Sequence, residues 1–292
     1  MTGICRHIAK LGLGAVGMIA GVAHANTSNG YNLPVGVSDL SIEIHAIHMK
    51  AFWICVGIAV VVFGAMIYSL LKFRHSQGAV PDTTMVHSTK AEIIWTVIPV
   101  IILVFMAVPA AETLIKIEDT RNSELSIRVT GYQWKWQYQY MDAAEGVDFF
   151  STLSSDSNLA RQLGSGIDPK TVPNYLLSVD KPMVIPSGTK VRLLLSSRDV
   201  IHAWWVPDFG MKRDAIPGFV NELWIRVAEG KEGTYRGQCA ELCGQDHGFM
   251  PIVVEVKTRD DFKKWVEGQK AEAKQAGSPN PAAPVTAQVI TR

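Results

Sequence analysis

The chain has 292 residues, of which 48% are hydrophobic and 19% are charged, and its formal net charge is +1. The charged fraction lies below the quarter that is usual for soluble domains, which favours a membrane-attached protein. A charge near zero, without basic runs, argues against nucleic acid as a partner. Four cysteines in a chain of this length exclude a small scaffold held together by disulfides.

The first 25 residues are predicted to be a secretory signal peptide. Two basic residues precede an uncharged stretch over 11–22, and Ala23-His24-Ala25 supplies the small residues of a cleavage site. The stretch is too short to cross a hydrocarbon core of about 30 Å. We therefore expect residues 1–25 to be removed and residues 26–48 to form an external N-terminal segment.

Two longer apolar stretches predict a transmembrane hairpin over residues 49–116. Residues 51–71 and 93–111 carry no charge, and each stretch is long enough to cross a membrane as a helix. The loop between them is basic, which places it on the cytoplasmic side. Its basic residues are Lys72, Arg74 and Lys90. Both termini of the mature chain are then expected outside.

The region after the hairpin is predicted to be an antiparallel β-sandwich or barrel over residues 117–258. Short strand-like runs alternate there with clusters of Gly, Pro, Asn and Asp. The predicted strands are 125–130, 134–140, 183–185, 191–197, 222–227 and 251–256. Residues 143–180 are interpreted as an insertion or surface loop. A helix is expected over 259–275, followed by a disordered tail over 276–292.

One short segment gathers the residues that carry chemistry. Cys239, Cys243, His247 and Met250 stand within twelve residues, and His202 lies about 35 residues upstream, after a predicted strand. Thiolate, imidazole and thioether are together the ligands that select copper in electron-transfer sites. The sequence therefore predicts a copper site.

Other readings of the segment fit less well. A disulfide between the two cysteines leaves the nearby histidine and methionine without a role. A zinc site leaves the methionine unused, and a c-type haem requires Cys-x-x-Cys-His, which the spacing does not supply. A mononuclear blue-copper site uses one cysteine. The second cysteine favours two metals that share two thiolates.

The ordered set of motifs closely resembles bacterial, CuA-containing cytochrome c oxidase subunit II. The similarity covers roughly residues 35–142 and 182–268 and includes the hairpin. The matching segments are Gly131–Trp136, Val200–Trp204, Asp214–Gly218 and Gly237–Pro251. The resemblance implies a two-helix transmembrane hairpin followed by an all-β, cupredoxin-like Greek-key β-sandwich or barrel. It further implies a dinuclear copper centre, called CuA.

The resemblance also implies a role for each ligand residue. Cys239 and Cys243 would bridge the two coppers, and His202 and His247 would each terminate one of them. Met250 would be an axial ligand to one copper, and the backbone carbonyl of Glu241 would be axial to the other. The carboxylate of Glu241 would bind a magnesium ion shared with subunit I, since a hard oxygen ligand suits that ion.

By the same resemblance, the chain would accept electrons from cytochrome c and pass them to haem in subunit I. Oxygen reduction there would be coupled to proton pumping. The partners would be subunit I, other oxidase subunits, cytochrome c and membrane lipid, with the hairpin in the plasma (inner) membrane and the copper domain in the periplasm. Trp134 would be the electron entry point and Glu92 a proton-pathway entrance. A docking patch for a basic donor is suggested by Asp142, Glu145, Asp148 and Asp199.

Three other classes of protein share part of this pattern. Copper metallochaperones use a Cys-x-x-x-Cys pair with a distant histidine, but in a thioredoxin-like fold with one membrane anchor. A quinol-oxidase subunit would keep the fold and lack the copper ligands that are present here. Nitrous oxide reductase shares the copper motif but is soluble and needs a second cluster, for which this chain lacks histidines.

Overall fold

The structure, a computed structural model, describes residues 32–80, 83–84 and 87–275. The predicted signal peptide and the predicted disordered tail lie outside these residues. The described residues divide into two units. One contains 32–36 and 43–107, and the other contains 37–42 and 108–275.

Two long helices occupy the region of the predicted hairpin. Helix α1 spans Asp39–Lys72 and helix α2 spans Thr89–Glu118. At 1.5 Å per residue they are about 51 and 45 Å long, so each exceeds the hydrocarbon core and extends beyond it. By length and composition, both are candidates to cross a membrane.

Helix α1 begins ten residues before the predicted start of the hairpin at residue 49. Its start is fixed by a reciprocal pair of serines. The backbone N–H of Ser41 donates to the Ser38 hydroxyl, and the Ser38 N–H donates to the Ser41 hydroxyl, both at 3.0 Å. This arrangement is a capping box, which satisfies two N–H groups that a helix otherwise leaves unpaired. Because these N–H groups are paired, helix α1 can begin in a polar first turn and continue directly into its apolar span.

The second unit is built on ten described strands in two five-stranded sheets. The first sheet has the order β3-β2-β1-β5-β8, and the second has the order β4-β10-β9-β6-β7. The strands are β1 Leu125–Tyr132, β2 Lys135–Tyr140, β3 Asp148–Ser151, β4 Met183–Pro186, β5 Val191–Ser197, β6 His202–Val206, β7 Met211–Ala215, β8 Asn221–Ile225, β9 Gly233–Cys239 and β10 Pro251–Lys257.

Two apolar helices followed by a β-sandwich confirm the predicted fold class. The sheets are mixed, however, because β1 pairs with β5 and β4 pairs with β10 in parallel. The expectation of purely antiparallel sheets was wrong for these two pairs. The hydrophobic pattern of a strand shows which side chains are buried. It does not show whether the neighbouring strand runs parallel or antiparallel to it.

The core between the sheets follows from alternation along the central strands. In β2, Trp136, Tyr138 and Tyr140 are buried, and the residues between them are partly exposed. Tyr140 also connects the sheets, because its hydroxyl donates to the carbonyl of Val184 at 2.7 Å and accepts from the Val184 N–H at 2.8 Å. A buried phenol needs such partners. Its burial raises the pKa of Tyr140 well above the usual value.

The segment 143–180, interpreted from sequence as an insertion, contains strand β3 and a short helix α3, Ser155–Ala160. Strand β3 extends the first sheet by pairing with β2. The return of the segment is fixed by an isolated bridge between Leu153 and Val179. The Ser154 N–H also donates to the Ser178 carbonyl at 2.9 Å. The segment is therefore packed onto the sandwich.

Helix α4, Arg259–Gln275, follows β10 and packs its aromatic side on the end of the sandwich. Thr258 caps the helix, accepting the Asp261 N–H at 3.2 Å. The Trp265 ring lies 5.2 Å from the Tyr140 ring and 5.8 Å from the Phe262 ring, between centroids. These contacts bury the apolar face of the helix.

Candidate metal centre

The second sheet brings His202 and Cys239 together. His202 is the first residue of β6 and Cys239 is the last residue of β9, and these strands are antiparallel neighbours with Trp204 opposite Cys239. The imidazole Nδ1 of His202 therefore lies 3.9 Å from the Cys239 sulfur. His202 is fully buried. The sequence placed this histidine after a strand, whereas it begins the next one.

The loop between β9 and β10 supplies the remaining donors. The Cys243 sulfur lies 3.9 Å from the Cys239 sulfur, and both thiols are free. A disulfide would require about 2.05 Å between the sulfurs. The Nδ1 of His247 and the Sδ of Met250 each lie 3.5 Å from the Cys243 sulfur. The sulfur of Cys239 in turn approaches the backbone carbonyl of Glu241 at 3.4 Å.

These donors form two sets around two sulfurs. His202 and the Glu241 carbonyl contact Cys239, whereas His247 and Met250 contact Cys243. Donors that share one metal, with bonds of about 2.0–2.3 Å, lie about 3.3–3.8 Å apart. The observed separations are close to that range. Six donors, five of them sulfur or imidazole groups, exceed what one tetrahedral metal uses, and their chemistry suits copper.

The two thiols differ in their acidity. Burial opposes ionisation of Cys239, but the hydrogen bonds from His202 and from nearby backbone groups outweigh it and lower the pKa of this thiol. Burial and the neighbouring Cys239 raise the pKa of Cys243 to about 12. Two sulfurs this close do not carry two negative charges without a cation between them. A bound cation would supply the missing charge compensation.

Asp199 sets the orientation of the His202 ring. Its carboxylate lies 2.9 Å from Nε2 of His202, which leaves Nδ1 directed at the sulfur. It also accepts the N–H groups of Val200 and Gln133, both at 2.7 Å. Partial burial opposes ionisation of Asp199, but these hydrogen bonds prevail and lower its pKa. A carboxylate behind a ligating imidazole is a common way to fix its tautomer.

The packing around His202 leaves no room for a larger neighbour. A Cβ atom at Gly131 would lie 2.7 Å from Cδ2 of the His202 ring. On another side, the Trp136 ring packs edge-on against the His202 ring, with 5.8 Å between centroids. The Trp136 N–H donates to the Met250 carbonyl at 3.4 Å. Trp136 thus packs against one donor residue and bonds to the backbone of another.

Trp134 lies in a turn and not in the strand that the sequence predicted. Strand β2 begins at Lys135, and Gln133 and Trp134 form the two-residue connection from β1. The prediction that the strand starts at residue 134 was therefore wrong by one residue. The Trp134 indole N–H donates to the Cys243 carbonyl at 3.1 Å, and the Gln133 side-chain amide donates to the same oxygen at 2.9 Å.

Glu241 and Glu92 occupy exposed or boundary positions. Glu241 is exposed, so its carbonyl faces the sulfur while its side chain remains accessible. Glu92 is in the first turn of α2, where a carboxylate also interacts favourably with the helix dipole.

Of the four predicted docking carboxylates, Asp199 is engaged with His202. Asp142, Glu145 and Asp148 line an open cavity of about 510 Å³.

Sequence reasoning missed how Asp199, Gln133 and Gly131 support the site. All three act through contacts that are distant in sequence or depend on ring placement. The one local signal was an acidic residue three positions before His202, Asp199, which was interpreted as part of a docking patch. The predicted donor residues themselves are the ones that the structure brings together.

Comparison with known proteins identifies the family. The family model of the cytochrome c oxidase subunit II periplasmic domain matches residues 125–257, and that of the transmembrane domain matches residues 26–112. A probable cytochrome c oxidase subunit 2 of Rickettsia bellii is 43% identical over 231 residues, which is 79% of this chain and 81% of that protein. The Arabidopsis thaliana cytochrome c oxidase subunit 2 is 37% identical over 76% of this chain and 83% of its own length.

A solved structure is also similar. The periplasmic domain of cytochrome oxidase subunit II from Bradyrhizobium japonicum is 40% identical, with a TM-score of 0.44, and the match covers 52% of this chain and 98% of that domain. The two family matches together span both units, and the curated relatives match along most of their length. The chain belongs to the cytochrome c oxidase subunit II family.

Proposed function

We propose that the centre holds two copper ions as CuA and relays electrons from cytochrome c to haem in subunit I. The observation that carries the proposal is a pair of free thiols 3.9 Å apart, each with an imidazole and one further donor beside it. A copper pair bound there would supply a one-electron carrier whose charge is shared by both ions. The residues that would hold it are His202, Cys239, Glu241, Cys243, His247 and Met250.

The protein around the donors suits electron relay better than substrate chemistry. His202, Cys239, Cys243 and Met250 are buried, so water has little access to the sulfurs. His202 and Cys239 sit on paired strands, and Asp199 and Trp136 restrict the ring of His202. Donors held this firmly move little when the charge changes, and a small rearrangement favours fast transfer. Six donor groups would also be enough to bind two metal ions, so neither ion would require a substrate molecule as a further ligand.

Trp134 is the proposed point of electron entry. It is partly exposed, and its indole nitrogen contacts the backbone of a bridging-cysteine candidate, Cys243, through one hydrogen bond. An aromatic ring at the surface offers a flat contact for a donor protein. The short route from the ring to the Cys243 carbonyl supports this role. Asp142, Glu145 and Asp148 are the proposed acidic contacts for a basic cytochrome c.

The outer side of the loop is the proposed contact with subunit I. Leu242 has 77% of its surface exposed, and the neighbouring Glu241 side chain is also accessible. An exposed leucine on a loop whose two cysteines are buried favours a partner that covers it. We assign the Glu241 carboxylate to a magnesium ion at that contact. Glu92, at the N-terminal end of α2, is the proposed entrance of a proton pathway in the assembled oxidase.

We infer the membrane orientation of the chain from the basic loop between the two helices. The helices would lie in the inner membrane, with Lys72, Arg74 and Lys90 on the cytoplasmic side, as the positive-inside rule requires. The sandwich would then face the periplasm, where cytochrome c is available. This orientation puts the copper site outside the hydrocarbon core and the haem-bearing partner within it.

Metal analysis of the full chain in detergent tests the proposal. Loaded with copper, the chain should retain two copper ions per molecule after gel filtration. Cys239→Ser and Cys243→Ser should each abolish this stoichiometry. Cys55→Ser is the matched control, since Cys55 lies in α1 and outside the donor set. Retention of one metal per chain, or equal loss in the Cys55 variant, would contradict the proposal.

A further inference from the structure

Arg161, in the segment that sequence reasoning left without a role, contacts the metal loop from outside. It follows the last residue of α3. Its two terminal nitrogens lie 3.4 and 3.5 Å from the two carboxylate oxygens of Asp246. Its guanidinium carbon lies 4.3 Å from the centroid of the Phe249 ring. One planar group thus makes a forked ion pair and a cation–π contact at the same time.

The two residues that Arg161 contacts are the ends of one turn. His247–Phe249 is a single 3-10 turn, with Asp246 immediately before it and the Phe249 N–H donating to the Asp246 carbonyl at 2.9 Å. His247 is the first residue of this turn, and its Nδ1 faces the Cys243 sulfur. A group bound to both ends restricts rotation of the turn, and therefore restricts the direction of the imidazole.

Arg161 is itself held in place. Its Nε donates to the Asn158 side-chain oxygen at 2.7 Å. The Leu176 N–H donates to the buried hydroxyl of Ser157, which ties α3 to the returning chain. The Arg161 and Asp246 side chains are 22% and 25% exposed. A pair that is mostly shielded from water is screened less than a surface pair, and it has more effect on local order.

We propose that Arg161 is a positioning residue that holds the His247 turn in its metal-binding conformation before the metal arrives. The inference rests on the copper centre proposed above. The segment 143–180 then has a function: it carries α3 and its terminal arginine to the outer side of the loop. Ordering the loop in advance reduces the entropy cost of metal binding. Copper should bind more tightly and leave more slowly than it would from a mobile loop.

Amide hydrogen exchange of the copper-free full chain in detergent tests the positioning role directly. Arg161→Ala should speed exchange in residues 244–250 by about tenfold, with the strands of the sandwich unaffected. Arg161→Lys keeps the charge and loses the planar fork, so its effect should be intermediate. Arg128→Ala is the matched control, because Arg128 bonds to Gln139 away from the loop. The control should exchange like the wild type.

Copper release to a chelator gives a second readout. It should be about tenfold faster from the Arg161→Ala protein than from the wild type, with Arg161→Lys between them. Unchanged exchange and unchanged release in both variants would overturn the inference. If Arg161→Ala does not fold, the exchange and release rates of Arg161→Lys alone decide the question: faster rates support the inference and unchanged rates overturn it. A wild-type chain that binds no copper pair would refute the proposed centre, while the exchange result would still report on Arg161.

Discussion

The indole N–H of Trp134 donates to the backbone carbonyl of Cys243 across 3.1 Å. Trp136, two residues later, is fully buried and packs against the His202 ring instead. The two tryptophans of one short motif therefore contact the centre in different ways. Trp134 connects the protein surface to the loop that carries Cys243, and Trp136 packs against His202 from inside the sandwich.

This difference predicts separate effects for the two tryptophans. Trp134→Ala should lower kcat/KM for cytochrome c oxidation by about tenfold or more in the assembled oxidase, because a central aromatic contact is lost. Its copper spectrum should remain unchanged, because the Gln133 side-chain amide still donates to the same Cys243 carbonyl. Trp136→Phe should perturb the copper spectrum, because its N–H to the Met250 carbonyl disappears. Equal kinetics of the Trp134 variant and the wild type would remove its entry role.

Asp199 should control the affinity of the centre for metal. Asp199→Ala removes the acceptor behind the His202 ring and should weaken copper binding by about 10–100-fold, measured by competition with a chelator. Asp148→Asn is a suitable control, since Asp148 accepts from Gln137 at the surface. If both variants bound copper like the wild type, the carboxylate of Asp199 would have no part in orienting the ligand.

An added methyl group should be harmful at Gly131 and harmless at Gly248. Gly131→Ala places Cβ 2.7 Å from the His202 ring, so the ring or the strand must shift, at about 1–3 kcal/mol. The variant should lose copper and melt at a lower temperature. Gly248→Ala meets no atom within 4 Å and should keep both properties. A Gly131 variant with wild-type copper content would show that the packing is looser than described.

Helix α4 should contribute measurably to the stability of the sandwich. Trp265→Ala removes ring contacts with Tyr140, Phe262 and Phe149 and should cost about 2 kcal/mol. The expected decrease in Tm is about 5 °C, followed by differential scanning calorimetry of the full chain in detergent. Lys264→Ala, an exposed position on the same helix, should melt like the wild type. A matching decrease in both variants would mean that the aromatic packing of Trp265 does not explain the effect.

The strands predicted from the sequence have a clear hydrophobic signal, which alternates in β2 and β5 and is continuous in β4 and β10. Strand β5 alternates along its whole length and was predicted with its observed bounds. Strands β3, β6, β7 and β9 were missed. Of these, β7 reads Met-Lys-Arg-Asp-Ala, and β9 begins with an exposed glycine and threonine. The hydrophobic signal of β7 and β9 in the sequence is weak. Packing against neighbouring strands, which the sequence pattern does not show, holds them in place.

The clustering of the candidate donor residues could be predicted because four of them are local in sequence. Their spacing already combines the side chains that copper prefers. The supporting contacts could not be predicted in this way. Asp199 reaches Gln133, and Arg161 reaches Asp246, across 66 and 85 positions of the chain. Such contacts depend on how the sheets and the 143–180 segment fold together, which periodicity does not encode.

The most direct test of the central claim is the electron paramagnetic resonance spectrum of the copper-loaded full chain. Two sulfurs shared by both metals predict one unpaired electron spread equally over two copper nuclei. The hyperfine pattern should then be that of two equivalent nuclei, and it should vanish in Cys243→Ser. A spectrum with the hyperfine pattern of a single copper nucleus would contradict the paired centre.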